Sequence, residues 1–179
     1  MAKWIIDADH TVAHFSVRHM MINDVHGQFN KISGFINFDP SDITGTSMEI
    51  EIDAASIFTG VELRDNHLRS SDFFDVEKYP YILFKSTEVE EVGSNMFKVH
   101  GRLTLRGVEQ PALLHAESFG PTYFTDETGS YTTMGFAARA YLQREDFGMV
   151  WNYKYPGGFT VGKHINITVN AEADLEKED

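Results

Sequence analysis

The 179-residue chain contains no cysteine. This absence excludes a disulfide framework and a thiol nucleophile, although it does not assign a redox compartment. No segment approaches the roughly 20 apolar residues that a membrane-spanning helix requires. The N-terminal residues 1–7 lack the apolar stretch and the small-residue cleavage site of a secretory signal. We therefore expect a cytoplasmic protein with no stable membrane insertion.

Basic residues are scarce, with 15 Lys and Arg against 27 Asp and Glu and a formal net charge of -12. This balance argues against a nucleic-acid partner. The hydrophobic fraction of 42% is ordinary for a folded protein, and a chain of this length buries about 70% of its unfolded surface. We expect one domain over residues 1–175 with a solvated tail at 176–179, and we consider a homodimer as the alternative to a monomer.

Motifs of common catalytic and metal sites are also missing from the sequence. It has no G-x-S-x-G elbow, no HExxH pair and no phosphate-binding Gly-Lys-Ser/Thr loop. His10 and His14 are four residues apart, which on a strand corresponds to about 13 Å, too far for one metal ion. His14 and His19 point to opposite faces of a regular strand. We expect neither a metal site nor a cofactor, and these histidines are better explained as surface or hydrogen-bonded residues.

The strongest positive signal is an alternation of period two along residues 134–142. One face of this segment carries Met134, Phe136, Ala138, Ala140 and Leu142, whereas Arg139 and Tyr141 lie on the other. Residues 48–53 and 97–105 repeat the pattern. Such alternation predicts half-buried antiparallel strands around one apolar interior.

The remaining segments predict further strands and one helix. We expect extended segments at 4–9, 11–19, 22–38, 81–89, 110–119 and 164–175, with bulges or bends at Gly27 and Gly34. The charged segment 62–70 loses the period of two and predicts one short helix. Eight or more strands with short turns require closure or a second sheet to remove their edges, and an up-and-down barrel provides closure.

Two polar features allow a structural and a functional interpretation. Residues 64–72 crowd polar groups before Phe73 and Phe74, which suits either a lid that meets a ligand or a surface helix, and we favour the surface helix. His19 shares a strand face with Phe15 and Val17. A histidine in that position is more often a satisfied core residue than a ligand contact.

Several motifs resemble one known family. The first runs Trp4-x-x-Asp7-x-x-His10-Thr11-x-x-x-Phe15-Ser16-Val17-Arg18-His19, followed by Val25-x-Gly27-x-Phe29 and Gly34-x-Ile36-x-Phe38. A second block runs Arg64-Asp65-x-His67-Leu68-Arg69-Ser70-x-Asp72-Phe73-Phe74-Asp75-Val76-x-x-Tyr79-Pro80-x-Ile82-x-Phe84-x-Ser86. Later matches are Gly101-x-Leu103-Thr104-Leu105-Arg106-Gly107, Arg144-x-Asp146-Phe147-Gly148 and Val161-Gly162-x-x-Ile165-x-Ile167. In this order they resemble the YceI-like, polyisoprenoid-binding family over nearly the whole chain.

The resemblance implies an all-β fold, an extended, lipocalin-like antiparallel β-barrel of about eight strands. It also implies an elongated apolar cavity that holds an isoprenoid or another long-chain lipid, for sequestration or carriage and without catalysis. Many relatives carry a secretory leader, which this sequence does not show; this departure leaves the fold expectation unchanged but weakens that of a periplasmic carrier.

The inward faces of the predicted strands supply the candidate cavity lining. Small residues among them, Ala138, Ala140 and Gly101, predict room inside a barrel of this size. The candidate lining residues are Phe15, Val17, His19, Phe29, Ile50, Leu68, Phe73, Phe84, Val99, Leu103, Leu105, Met134, Phe136, Ala138, Ala140 and Leu142.

Two other functions would use the same barrel. One is an isomerase or cyclase acting on an apolar substrate, with His19, His67 or Asp72 as acid or base. The other, which we consider weaker, is a protein-interaction module with a barrel filled by side chains. An enzyme needs a titratable group within hydrogen-bond reach of the reacting atom, and the inward positions are mostly apolar. We therefore favour lipid binding.

Overall fold

Antiparallel strands close into a barrel in the computed structural model, which describes residues 1–127 and 129–177 except for the side chains of residues 44 and 126. The wall consists of β1 (Ala2–His19), β3 (Ile32–Phe38), β4 (Ser47–Asp53), β6 (Tyr81–Gly93), β7 (Met96–Leu105), β8 (Val108–Asp126), β9 (Gly129–Gln143) and β12 (Val161–Leu175). Their order is β12-β9-β8-β7-β6-β4-β3-β1, and β1 pairs with β12. The predicted eight-stranded closed barrel is confirmed.

Short elements complete the fold. β2 (Asn23–Phe29) and β5 (Ile57–Phe58) extend the wall beyond β1, and β10 (Lys154–Tyr155) pairs with β11 (Gly158–Phe159) as a separate hairpin. The single α-helix of the described residues, α1 (Glu62–Arg69), lies where the sequence predicts one. No helix within residues 1–127 and 129–177 has the length and apolar character needed to cross a membrane.

β1 is one continuous strand where the sequence suggests two segments. Its register with β12 shifts between Asp7 and Val12, which marks a bulge. The N-terminal half of β1 pairs with β3 and the C-terminal half pairs with β2. The break between β2 and β3 therefore falls at residues 30–31, not at Gly27 or Gly34.

Gly27 and Gly34 allow close approaches instead of bends. A Cβ at Gly27 would meet the ring of Phe15, and one at Gly34 would meet the backbone of Glu49 on β4. Gly34 also has a φ of +139°, which side chains rarely tolerate. These positions fit neighbouring parts of the wall tightly together.

The chain end beyond β12 is partly held by β1. The amide of Glu176 donates to the Lys3 carbonyl at 2.8 Å, and the Lys3 ammonium lies 2.7 Å from the Glu176 carboxylate. Both side chains remain accessible to water. The last two residues of the predicted tail, 178–179, lie outside the described residues.

Candidate functional site

The strand registers place the predicted inner faces inside the barrel. On β9, the five residues predicted to face inward lie opposite five apolar residues of β12: Ala173, Ala171, Val169, Ile167 and Ile165. On β7, Val99 and Leu103 lie opposite Leu114 and Gln110 of β8, and Leu103 also lies opposite Phe84 of β6. Ile50 of β4 pairs with Phe84 in turn. The wall thus has one continuous inner face around the barrel.

One end of the interior is filled by packed side chains. Phe38 makes edge contacts with Phe97 and Phe136, at ring-centroid distances of 5.6 and 5.9 Å. The solvent-exposed fractions of Met134 and Val99 are only 2% and 1%. The core at this end leaves these two candidates little surface to offer a ligand.

Three other candidates are also buried in the packed core. They are Phe29, Phe84 and Leu105. The space above Gly101, expected to be free, is occupied by the ring of Phe84 and the carbonyl of Lys85. Gly101 therefore accommodates a neighbouring aromatic ring, and room for a ligand does not arise there.

Towards the other end, the inner face is apolar but not covered. Ala138, Ala140, Leu142, Phe15 and Val17 all face inward, yet each is only half-buried. Their partners Ile165 and Ile167 on β12 are half-buried as well. Inward-facing side chains that keep accessible surface border open space, so the interior between β1, β12 and β9 offers an apolar surface to a ligand.

The open part of the interior lies beside the ends of β8 and β9 that do not pair with each other. A recess of about 520 Å³ lies there, a volume typical of small-molecule sites. Ala112, Ala140, Leu142 and Phe147 contribute its apolar lining. The recess and the uncovered inner face share Ala140 and Leu142, so we treat them as one candidate site.

α1 is fixed by polar contacts with the backbone. Arg69 donates to the carbonyls of Ala55 and Ile57 at 2.9 and 2.8 Å. The buried Asp65 carboxylate accepts from the amide of Thr59 at 2.9 Å. These groups are occupied within the protein, which agrees with the surface helix and not with a lid whose polar groups meet a ligand. Leu68 faces the barrel and packs against the core.

Phe73 and His67 form a cluster with Trp151. Trp151 was not among the residues predicted from the sequence. The His67 ring lies 5.1 Å from Phe73 and 4.7 Å from Trp151 between ring centroids. Its Nε2 lies 2.8 Å from the Asp72 carboxylate. His19, by contrast, is half-buried at the end of β1, and no hydrogen-bonding side chain within residues 1–127 and 129–177 contacts its ring.

Arg144 is another functional candidate that sequence reasoning missed, although it lies in a quoted motif. It is 2% exposed and donates to the backbone carbonyls of Gly162 at 2.8 Å, Trp151 at 2.9 Å and Met149. Burial lowers the pKa of its guanidinium. Arg144 thereby positions the loop that carries Trp151.

The bulge in β1 creates one cluster of potential metal ligands among the described residues. Asp7, His10 and Glu172 place one ligand atom each within 4.8 Å of one another. His10 Nδ1 lies 2.7 Å from Asp7 and 3.9 Å from Glu172. Glu172 comes from β12, so spacing along the sequence did not reveal the cluster. The expectation of no native metal stays a prediction.

Within this cluster, hydrogen bonding couples two titrating groups. The bond to Asp7, with the charge of that carboxylate, raises the pKa of His10 above its ordinary value of 6.5. The same bond lowers the pKa of Asp7 below 3.8. The His10 contribution to stability is lost as the pH rises through its folded pKa, and the Asp7 contribution is lost as the pH falls through its own.

The stabilising effect of His10 should therefore be greatest in mildly acidic solution. We expect the free energy of unfolding to differ most between the parent and His10→Gln near about pH 5, and the difference to shrink by about pH 9. Urea unfolding across this range measures it. His14→Gln is the control, because His14 has no ion-pair partner among the described residues. An equal effect of His10→Gln at both pH values would contradict this assignment.

Comparisons with known proteins agree with the barrel. The family model described as YceI-like domain matches residues 4–173. A UPF0312 protein of Vibrio cholerae is 36% identical over 150 residues, which cover 83% of this chain and 78% of the relative.

Two solved structures share the fold. BcnA of Burkholderia cenocepacia superposes with a TM-score of 0.78 at 22% identity, covering 94% of this chain and 99% of that one. A polyisoprenoid binding domain from Saccharophagus degradans, implicated in plant cell wall breakdown, has a TM-score of 0.70 at 13% identity and covers 97% and 98%. From the family match and the Vibrio relative, we conclude that the chain belongs to the YceI-like family.

Proposed function

We propose that this protein binds an isoprenoid or another long-chain lipid inside the barrel, for sequestration or carriage, and does not transform it. The observation that carries the proposal is the uncovered apolar inner face formed by Ala138, Ala140 and Leu142 with their β12 partners. Burying apolar ligand surface there is favourable by about 0.8 kcal/mol for each methylene. A long chain therefore binds tightly with few polar contacts.

The comparisons support the same ligand class. The Saccharophagus neighbour is described as a polyisoprenoid binding domain, and its barrel matches this chain over nearly its full length. At 13% identity that likeness establishes only the fold. The ligand of the neighbour thus enters as support for the proposal, beside the inner face of this chain.

A second candidate function is catalysis on an apolar substrate, an isomerisation or a cyclisation. The observation in its favour is the pairing of His67 with Asp72 beside Phe73 and Trp151. A carboxylate that orients an imidazole is a common acid–base arrangement. On the uncovered inner face, however, the half-buried residues of β9 and β12 are apolar, and His19, which continues the face of Phe15 and Val17 on β1, has no described side chain that orients its ring by a hydrogen bond; this favours binding.

Extraction of the purified protein tests the proposal. We expect denaturing extraction to release a copurifying long-chain lipid that mass spectrometry identifies, because the inner face is apolar and uncovered. Extracts of a mock purification are the control. Delipidated protein should also bind added isoprenoids reversibly and return them unchanged.

Two results would contradict the proposal. Extracts without lipid, together with no binding of added isoprenoids, would overturn lipid binding. Conversion of the added isoprenoid to an isomer or a cyclised product would support the enzyme, and loss of that conversion in His67→Gln would identify the acid or base.

A further inference from the structure

The barrel wall is open between β8 and β9 at one end. The two strands pair from Asp126 opposite Gly129 to His115 opposite Arg139. In the described part of the chain no pair joins them beyond that point, although β8 continues to pair with β7 and β9 with β12. Residues 108–114 and 140–143 are therefore two facing strand segments without a ladder between them.

Contacts at the base of the opening hold the two segments in place. The Gln110 side chain donates to the carbonyl of Asp146 at 3.1 Å, which links β8 to the turn after β9. Pro111 has no N–H to donate to a ladder, and proline in a sheet is confined to such edges. The side chain of Phe147 is buried and lines the recess there. These contacts hold the two strand segments apart at the opening.

The recess in this opening is lined by residues of both faces of the wall. Its lining takes Ala112, Ala140 and Leu142 from the inner face and Leu113 and Tyr141 from the outer face. Side chains on one strand alternate between faces, so the recess lies against residues of the inner face as well as residues of the outer face. Leu113 and Tyr141 are exposed and give its outer rim an apolar character.

Two polar side chains without partners, the guanidinium of Arg139 and the imidazole of His115, mark the point where the ladder stops. His115 and Arg139 are directly opposite each other, are exposed on the outer face and line the recess. Across residues 1–127 and 129–177, neither side chain has a hydrogen-bond or ion-pair partner. The guanidinium of Arg139 and a ring N–H of His115 can both donate hydrogen bonds to an anion bound between them.

The carboxylates near His115 and Arg139 do not occupy the space between these two side chains. Lys98 of β7 lies opposite His115 and adds a second positive charge to that of Arg139, and Glu90 of β6 lies opposite Lys98. Glu117 lies one pair away, diagonal to Arg139. Asp146 lines the far end of the recess, beyond Gln143. The Cα of Gln143 lies about 13 Å along β9 from the Cα of Arg139.

We propose that the opening between β8 and β9 binds the anionic head group of an amphiphilic lipid. Arg139 and His115 would bind a phosphate or carboxylate head, and the chain would run past Ala112, Ala140 and Leu142 into the interior. The guanidinium of Arg139 suits such planar or tetrahedral oxyanions because its N–H groups form a fork. This inference rests on the proposed lipid binding and adds the class of head group and its place.

Binding titrations with three probes of equal chain length test the inference. Geranylgeranyl phosphate, geranylgeranoic acid and the neutral geranylgeraniol distinguish a phosphate head, a carboxylate head and no charge. We expect the parent to bind at least one anionic probe about tenfold to a hundredfold more tightly than the alcohol, as charge-assisted hydrogen bonds predict. Arg139→Gln should remove this preference and leave the affinity for the alcohol unchanged.

Arg102→Gln is the matched control, because Arg102 is an exposed arginine on β7 that does not line the recess. It should keep the preference for the anionic probe, and circular dichroism should show both variants folded. The inference is overturned if the parent binds the alcohol as tightly as both anions, or if Arg139→Gln weakens all three probes equally; lipid binding would survive either result. Failure of all three probes to bind the parent would overturn both this inference and the proposed function.

Discussion

Ala138→Trp should remove most lipid binding while the protein stays folded. Ala138 faces inward on β9, opposite Ala116 of β8 and Val169 of β12, and it is half-buried. An indole at this position projects into the open part of the interior and occupies volume that a lipid chain needs. We expect a loss of affinity of about a hundredfold or more, because several methylenes lose their contact with the apolar inner face, each about 0.8 kcal/mol.

The stability of the same variant separates an open interior from a filled one. In a packed core the added ring would cost about 1–3 kcal/mol or more, whereas an open cavity absorbs it with a smaller loss. Thermal unfolding of delipidated protein, run beside a lipid titration, measures both quantities. A folded variant with unchanged lipid affinity would show that Ala138 does not line the site.

Ala137→Trp is the matched control for this experiment. Ala137 is the preceding residue of β9 and therefore points to the outer face, opposite Glu117 and Asn170. The same ring on the outer face should leave lipid affinity unchanged. Severe destabilisation by Ala138→Trp, in a parent that binds no lipid, would favour the filled barrel of a protein-interaction module.

Arg144→Met should lower the free energy of unfolding by about 3 kcal/mol, because hydrogen bonds from a charged donor contribute about 1.5–3 kcal/mol each and the carbonyl acceptors lose this donor. Arg144 donates to the carbonyls of Met149, Trp151, Val161 and Gly162. Methionine preserves much of the side-chain volume but replaces none of these bonds. Arg144→Lys should also be destabilised, since an ammonium cannot reproduce the guanidinium fork.

Urea unfolding of delipidated protein measures the loss. Arg102→Met is the control; Arg102 is exposed, and its carboxylate neighbour Glu109 lies 3.9 Å away, so the change should remain within about 0.5 kcal/mol. Amide hydrogen exchange should additionally show faster exchange at Met149, whose N–H donates to the Arg144 carbonyl. A loss of stability in Arg144→Met no larger than that of the control would show that the carbonyl contacts are not needed.

Alternation along single strands was enough to predict much of the fold. Residues 134–142 and 97–105 face the side that their sequence predicts, because the side-chain period of a strand is local and does not depend on its neighbours. The helix at Glu62–Arg69 was equally readable from its loss of that period. The bulges or bends predicted at Gly27 and Gly34 were wrong, since the ladders run through both glycines without a register shift.

The candidate site was only partly predictable. Facing the interior is a local property, and all five candidates on β9 have it. Access to a ligand depends on how the remaining inner side chains pack, which places Met134 in the core and leaves Ala138 uncovered. No local pattern distinguishes these two positions, because each is an apolar residue on the same face of the same strand.

By itself the sequence determined the class of fold, the inward faces of the strands and the place of the helix, all of which follow from local periodicity. The tertiary structure decided what depends on pairing between distant segments. It brought Glu172 to Asp7 and His10, enclosed Arg144 in carbonyls of the following loop and of β12, and ended the ladder between β8 and β9 at Arg139. These features arise from strand register and chain closure, which a pattern along one segment does not encode.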